Sequence, residues 1–92
     1  MQVIVNGLVT NYQKSGTGPV VLLLHGWGDN LSTFDGLVKE LKLTYTVLRL
    51  DLPGFGGTDT PGETFNLELY ARFVKEFLNK INSDKIYAIM AF

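Results

Sequence analysis

The stretch Val20 to Gly28, VVLLLHGWG, constrains this chain more than any other. Five consecutive apolar residues running into a glycine-punctuated turn predict a strand buried on both faces, as a central parallel strand flanked by helices is. In an open α/β sheet, ligands bind in the crevice beyond the carboxyl ends of the strands. The turn His25-Gly26-Trp27-Gly28 therefore marks where a site belongs. With 92 residues the chain is read as a single domain, 1–92. A chain of that size buries only about 60–65% of the surface its unfolded form exposes, so its stability has little margin.

On either side of that strand the pattern alternates between strands and helices. Gln2 to Val5 and Leu8 to Lys14 are β-prone runs separated by Asn6-Gly7, a strong hairpin signal. Ser15 to Pro19 reads as a loop that delivers the chain into the central strand. Ser32-Thr33-Phe34-Asp35 resembles a capping box, and Phe34, Leu37, Val38 and Leu41 follow at helical spacing. Thr46 to Leu50 is a second strand. Asp51 to Pro61, with two prolines and three glycines, is a long loop at its carboxyl end. A second helix is expected from near Asn66, with Glu68 placed well against the helix dipole. Its apolar face carries Leu67, Tyr70, Val74, Phe77 and Ile81, widened by Phe73 and Leu78. Lys85 to Met90 reads as a final strand. The expected class is α/β.

Composition limits the partners. A hydrophobic fraction of 46% and a net charge of −1 describe a globular chain without the basic surface that nucleic acid or an anionic membrane selects. No cysteine is present, which excludes a disulfide framework and thiolate metal sites. The N-terminus lacks a signal peptide, and no apolar run approaches the roughly 18 residues of a membrane helix, so a cytoplasmic location without membrane contact is expected.

Two chemistries can be weighed on the residues themselves. His25, the only histidine, has no second ligand at metal-binding spacing and neither a nucleophile nor an orienting carboxylate nearby. It is expected to end a buried strand and hold its neighbouring loops through its ring nitrogens, with no metal bound. Gly26-Trp27-Gly28 after a strand, with Asp51 closing the next strand, has the layout of a dinucleotide site. However, Leu31 stands where close helix packing needs Gly or Ala, and Trp27 and Asp29 crowd the approach of a pyrophosphate. No cofactor is expected.

Taken together, VVLLLHGWGDN, the capped helix and VLRLDLPGFGGTD resemble the N-terminal half of the α/β-hydrolase family, and the resemblance covers essentially the whole chain. It implies a three-layer α/β/α arrangement around a mostly parallel sheet of about five strands in the order 1-2-4-3-5, with the hairpin at one edge. Two right-handed crossovers running in opposite directions from the central strand would put one helix on each face. The resemblance also implies that the backbone N–H of Trp27 contributes to an oxyanion hole, with Gly26 and Gly28 permitting the tight turn. The segment containing Asp51, Pro53, Gly54 and Gly56 matches the loop that shapes the turn beside the active site, and a structural duty for it is favoured over a catalytic one.

No catalytic residue is assigned. In the family the nucleophile lies on a G-x-S-x-G turn directly after the strand matching Ile86 to Met90, and the acid and catalytic histidine follow it. Ser15, Ser32 and Ser83 cannot substitute. The chain is therefore read as a truncated hydrolase-like domain, inactive alone, whose parent family cleaves ester-type or related bonds. A free-standing interaction domain is the alternative, with a nucleotide-binding domain behind it. The uncharged run Ile86, Tyr87, Ala88, Ile89 and Met90 is expected to form an exposed sheet edge that recruits a second copy or a complementing C-terminal fragment.

Overall fold

The computed structural model describes residues 1–24, 35–83 and 85–91. The hairpin consists of β1 (Gln2–Val5) and β2 (Leu8–Ser15), joined as expected by Asn6-Gly7. Both turn residues take left-handed backbone, φ 50° and 79°, which matches the twist of the flanking strands. The register runs from Val5 opposite Leu8 to Gln2 opposite Asn11. The remaining elements are β3 (Val20–Leu24), α1 (Asp35–Leu41), β4 (Thr46–Leu50), α2 (Leu67–Lys80) and β5 (Ala88–Ala91).

The sheet order is β1-β2-β4-β3-β5. β3 is the inner parallel strand, with β4 on one side and β5 on the other. The β1–β2 and β2–β4 pairs are antiparallel. The sheet is thus mixed, and the expectation of a mostly parallel sheet holds only for β4-β3-β5. The hairpin is the reason: it brings β2 back against β4 in the opposite sense.

Side chains along β3 alternate between two cores. Val21 and Leu23 pack with Val47 of β4 and Val38 of α1. Leu22 packs with Leu48, Leu50 and the α2 residues Phe73, Phe77 and Leu78. The helices therefore lie on opposite faces, as right-handed crossovers running in opposite directions require. The α2 face is the larger of the two cores and contains the largest buried side chains, Phe73 and Phe77. The Tyr12 ring meets Phe77 edge-on at 5.2 Å.

Helix α2 begins where the sequence indicates. The Asn66 side chain accepts the Leu69 N–H at 2.8 Å, and Glu68 lies in the first turn. Its apolar stripe is rotated from the expected one. Leu67 is 86% exposed, and the buried line runs through Phe73, Phe77 and Leu78. At the other end Asn82 takes left-handed backbone, φ 60°. The N–H groups of Asn82 and Ser83 cap the carbonyls of Asn79 and Leu78 at 3.2 and 2.8 Å, a Schellman closure with Asn in the usual glycine position.

The last strand is shorter than expected. Ile86 and Tyr87 precede β5 instead of opening it, and pairing with β3 starts at Ala88 opposite Val21. Ile86 is held by packing against the α2 core. The Tyr87 N–H donates to the Val20 carbonyl at 2.7 Å, and its ring stacks on Tyr45 with centroids 5.5 Å apart. These contacts bend the chain before it enters the ladder.

Candidate functional site

The parallel register aligns the carboxyl ends of three strands, with Leu24 opposite both Leu50 and Ala91. The carboxyl ends of β3, β4 and β5 therefore lie side by side. That is the crevice where an open α/β sheet builds a site. His25, Gly26, Trp27 and Gly28 lie outside the described residues, as do Ser32 and Phe34 of the expected helix cap.

The loop after β4 is fully described, and Asp51 is its organising residue. Its side chain is turned inward and only 1% of the residue is exposed. Oδ2 accepts the Gly57 N–H at 2.9 Å and the Asn11 side-chain amide at 3.2 Å. The Thr58 hydroxyl donates to the Asp51 carbonyl at 2.6 Å and accepts the Asn11 N–H at 2.9 Å. One step further, the Asp59 carboxylate accepts the Val9 N–H at 2.8 Å, and the Asp59 N–H donates to the Val9 carbonyl at 2.9 Å. The loop thereby continues along β2 the hydrogen bonding that β4 begins.

The glycines follow from this arrangement. Gly56 has φ 52°, and a Cβ there would occupy the space of the Asp51 carboxylate. Gly54 has φ 86° and donates its N–H to the Asp59 carbonyl at 3.0 Å. Pro53 is fully buried. Asp51, Pro53, Gly54 and Gly56 are thus brought together as the frame of one turn. A carboxylate engaged with its own loop is not presented to a ribose, and the dinucleotide layout seen in the sequence gains no support.

Sequence reasoning missed Val9, Asn11, Thr58 and Asp59. Thr58 and Asp59 carry a faint signal, since a hydroxyl and a carboxylate after Gly-Gly often bond nearby backbone. Asn11 carries none, because its partners are 40 and 47 residues away. Also unanticipated is Arg49, which lies on the α1 side of β4 and pairs with Asp35 in the first turn of that helix. This ties β4 to the start of α1. Of the residues read as a sheet edge, Ala88 and Met90 pack toward the α1 core, while Ile89 is 55% exposed. Among the described residues no cluster of His, Asp or Glu could hold a metal ion, and no helix is long and apolar enough to cross a membrane.

Against this geometry, a family model described as the alpha/beta hydrolase fold matches residues 19–92. The chain belongs to the alpha/beta hydrolase fold family. A soluble epoxide hydrolase from a Corynebacterium species is 30% identical over 88 residues, covering 96% of this chain and 31% of that protein. A pimeloyl-[acyl-carrier protein] methyl ester esterase from Aeromonas hydrophila is 45% identical over 51 residues, 55% of this chain and 20% of the esterase. Among solved structures, a membrane phospholipase A described as a bacterial virulence factor superposes with a TM-score of 0.90 at 28% identity, over 96% of this chain and 29% of its own. The chain thus spans a third or less of the length of these relatives.

Proposed function

We propose that this chain supplies the oxyanion side of an ester-type hydrolase site, with the Trp27 backbone N–H as the donor and His25, Gly26 and Gly28 shaping its turn. The observation that supports this is the alignment of Leu24, Leu50 and Ala91 at one edge of a sheet with the family's strand order. The sequence that leaves Leu24 is His25-Gly26-Trp27-Gly28. In that position a fixed N–H can meet the charge that develops on a carbonyl oxygen during acyl transfer. The Asp51 loop lies beside the same crevice at the carboxyl end of β4, and its Asp51 Oδ2 is engaged by Gly57 and Asn11, so the loop provides shape without competing for the substrate.

The 92 residues contain no G-x-S-x-G motif, and the chain by itself is expected to hydrolyse nothing above background. Known relatives act on esters and epoxides, and an ester-type bond is proposed because an oxyanion donor serves acyl transfer directly. The test exchanges this chain for the matching segment of the Aeromonas hydrophila esterase and assays an activated ester. Turnover by the chimera is expected. Trp27→Pro, which deletes the N–H, should lower kcat by about 10²–10³-fold, whereas Trp27→Phe, which keeps it, should change kcat little. Equal loss in both variants would reject the backbone-donor role.

A further inference from the structure

We propose that Asn11 is a positioning residue of the site: it acts through Asp51 and Thr58 to fix the loop beside the aligned strand ends, and so sets how tightly substrate is held. The inference rests on the site lying at those strand ends, as in the preceding proposal, but not on which bond is cleaved.

Asn11 stands on β2, outside the parallel part of the sheet, yet it engages the loop after β4 through both backbone and side chain. Its carbonyl accepts the Asp51 N–H at 3.1 Å, and its N–H donates to the Thr58 hydroxyl at 2.9 Å. Any residue type could make those two bonds, which continue the β2–β4 ladder. The third is particular to Asn11: its side-chain amide donates to Asp51 Oδ2 at 3.2 Å and so brings a donor to a buried carboxylate.

The loop is shaped around that pair of side chains. A Cβ on Gly56 would fall on the Asp51 carboxylate, and one on Gly57 would come within 3.0–3.2 Å of the Asn11 side chain. The Gly57 N–H then closes the loop onto the same Oδ2 at 2.9 Å. Asp51 is the first residue past Leu50, the strand end level with Leu24. A shift of the Asn11–Asp51 pair therefore moves the loop where it meets the crevice, while β3 keeps its place between β4 and β5. A displacement of about 1 Å at such a border is enough to change how a substrate sits, although Asn11 itself touches none of it. Charge decides which substitution matters most. Asn11→Asp keeps the shape but replaces the donor with a second carboxylate facing Asp51, which pushes the loop off β2. Asn11→Ala removes the donor alone, and its effect should be smaller.

The test places this chain in the Corynebacterium epoxide hydrolase, which it matches over 88 residues, and assays an epoxide that the parent enzyme turns over. Asn11→Asp should raise KM about tenfold with kcat within about twofold, and Asn11→Ala should raise KM about threefold. In an Asp51→Asn background Asn11→Asp should cost much less, since like charges no longer meet. Amide hydrogen exchange of the 92-residue chain is the second measurement. Asn11→Asp should speed exchange at Gly57 and Thr58 about tenfold and leave the β3 amides unchanged. A lower kcat at unchanged KM, which a smaller folded fraction alone would produce, would overturn the proposal. So would an equal penalty in the Asp51→Asn background, or a uniform rise in exchange. A folded, unsubstituted chimera without turnover would instead reject the site at the strand ends, and this inference with it.

Discussion

Gly56 and Gly36 show how differently two glycines of one chain can be constrained. At Gly56 the left-handed backbone is combined with an Asp51 carboxylate that fills the place of a Cβ, so Ala is both strained and obstructed there. Gly56→Ala should destabilise the fold by about 1–3 kcal/mol, seen as a lower urea midpoint at unchanged slope. Gly36 lies in the first turn of α1, and among the described residues nothing lies within 4 Å of where its Cβ would be. Gly36→Ala should stabilise by about 0.5–1 kcal/mol, because helical alanine loses less backbone entropy. The same urea titration checks both signs. At this scale the sequence was legible where the signal is local. Asp51, Pro53, Gly54 and Gly56 could be read as a turn because turn chemistry is written within a few residues. Asn11 could not be read as the side chain clamping that turn, since its partners become neighbours only after β2 has paired with β4.

Among the elements, α2 was the most legible and still illustrates the limit. Its cap, first-turn acid and span follow from Asn66, Glu68 and the apolar repeat. The exact stripe does not, because Leu67 fits the period yet sits in the first turn beyond the edge of the core, fully in water. Asn66→Ala removes the acceptor for the Leu69 N–H and should cost about 1 kcal/mol, a shift visible in thermal unfolding followed at 222 nm. The Asn6-Gly7 hairpin was equally legible, since both residues tolerate the left-handed backbone its turn demands. β5 was not. Apolar periodicity alone cannot show that Ile86 is drawn into the α2 core and that Tyr87 stacks on Tyr45, two tertiary contacts that delay the strand to Ala88. Residues 25–34, which include the proposed oxyanion donor, lie outside the described structure, so their reading rests on the sequence motif and the family.

For the molecule as a whole, the order of strands was available only by combining the family resemblance with the handedness of crossovers. The outcome has an energetic consequence: the two faces of the sheet are unequal. The α2 face buries Phe73, Phe77 and Leu78 against Val5, Leu22, Leu48 and Leu50. The α1 face buries Val38 against Val21, Leu23 and Val47. Truncating Phe77 to Ala should cost about 3–5 kcal/mol, comparable with the whole stability of a small domain at about 5 kcal/mol, and leave the chain largely unfolded. Among the described residues, α1 is a seven-residue helix in which Val38 is the one buried residue. Val38→Ala removes about two carbons' worth of burial, about 1.5 kcal/mol, from the smaller of the two cores. Helices that short are not stable alone, so α1 depends on the packing of Val38, Leu37 and Leu41 against the sheet and on the Arg49–Asp35 pair. Native-state hydrogen exchange should therefore resolve two classes of amide. Those of α1, together with the Lys42 and Tyr45 N–H groups that bond Val38 and Leu41 carbonyls, should exchange through a local opening. Those of β3, β4 and α2 should exchange only with global unfolding. Val38→Ala should speed the first class about tenfold while changing the second much less, and a uniform shift of both classes would show that the two faces unfold as one unit.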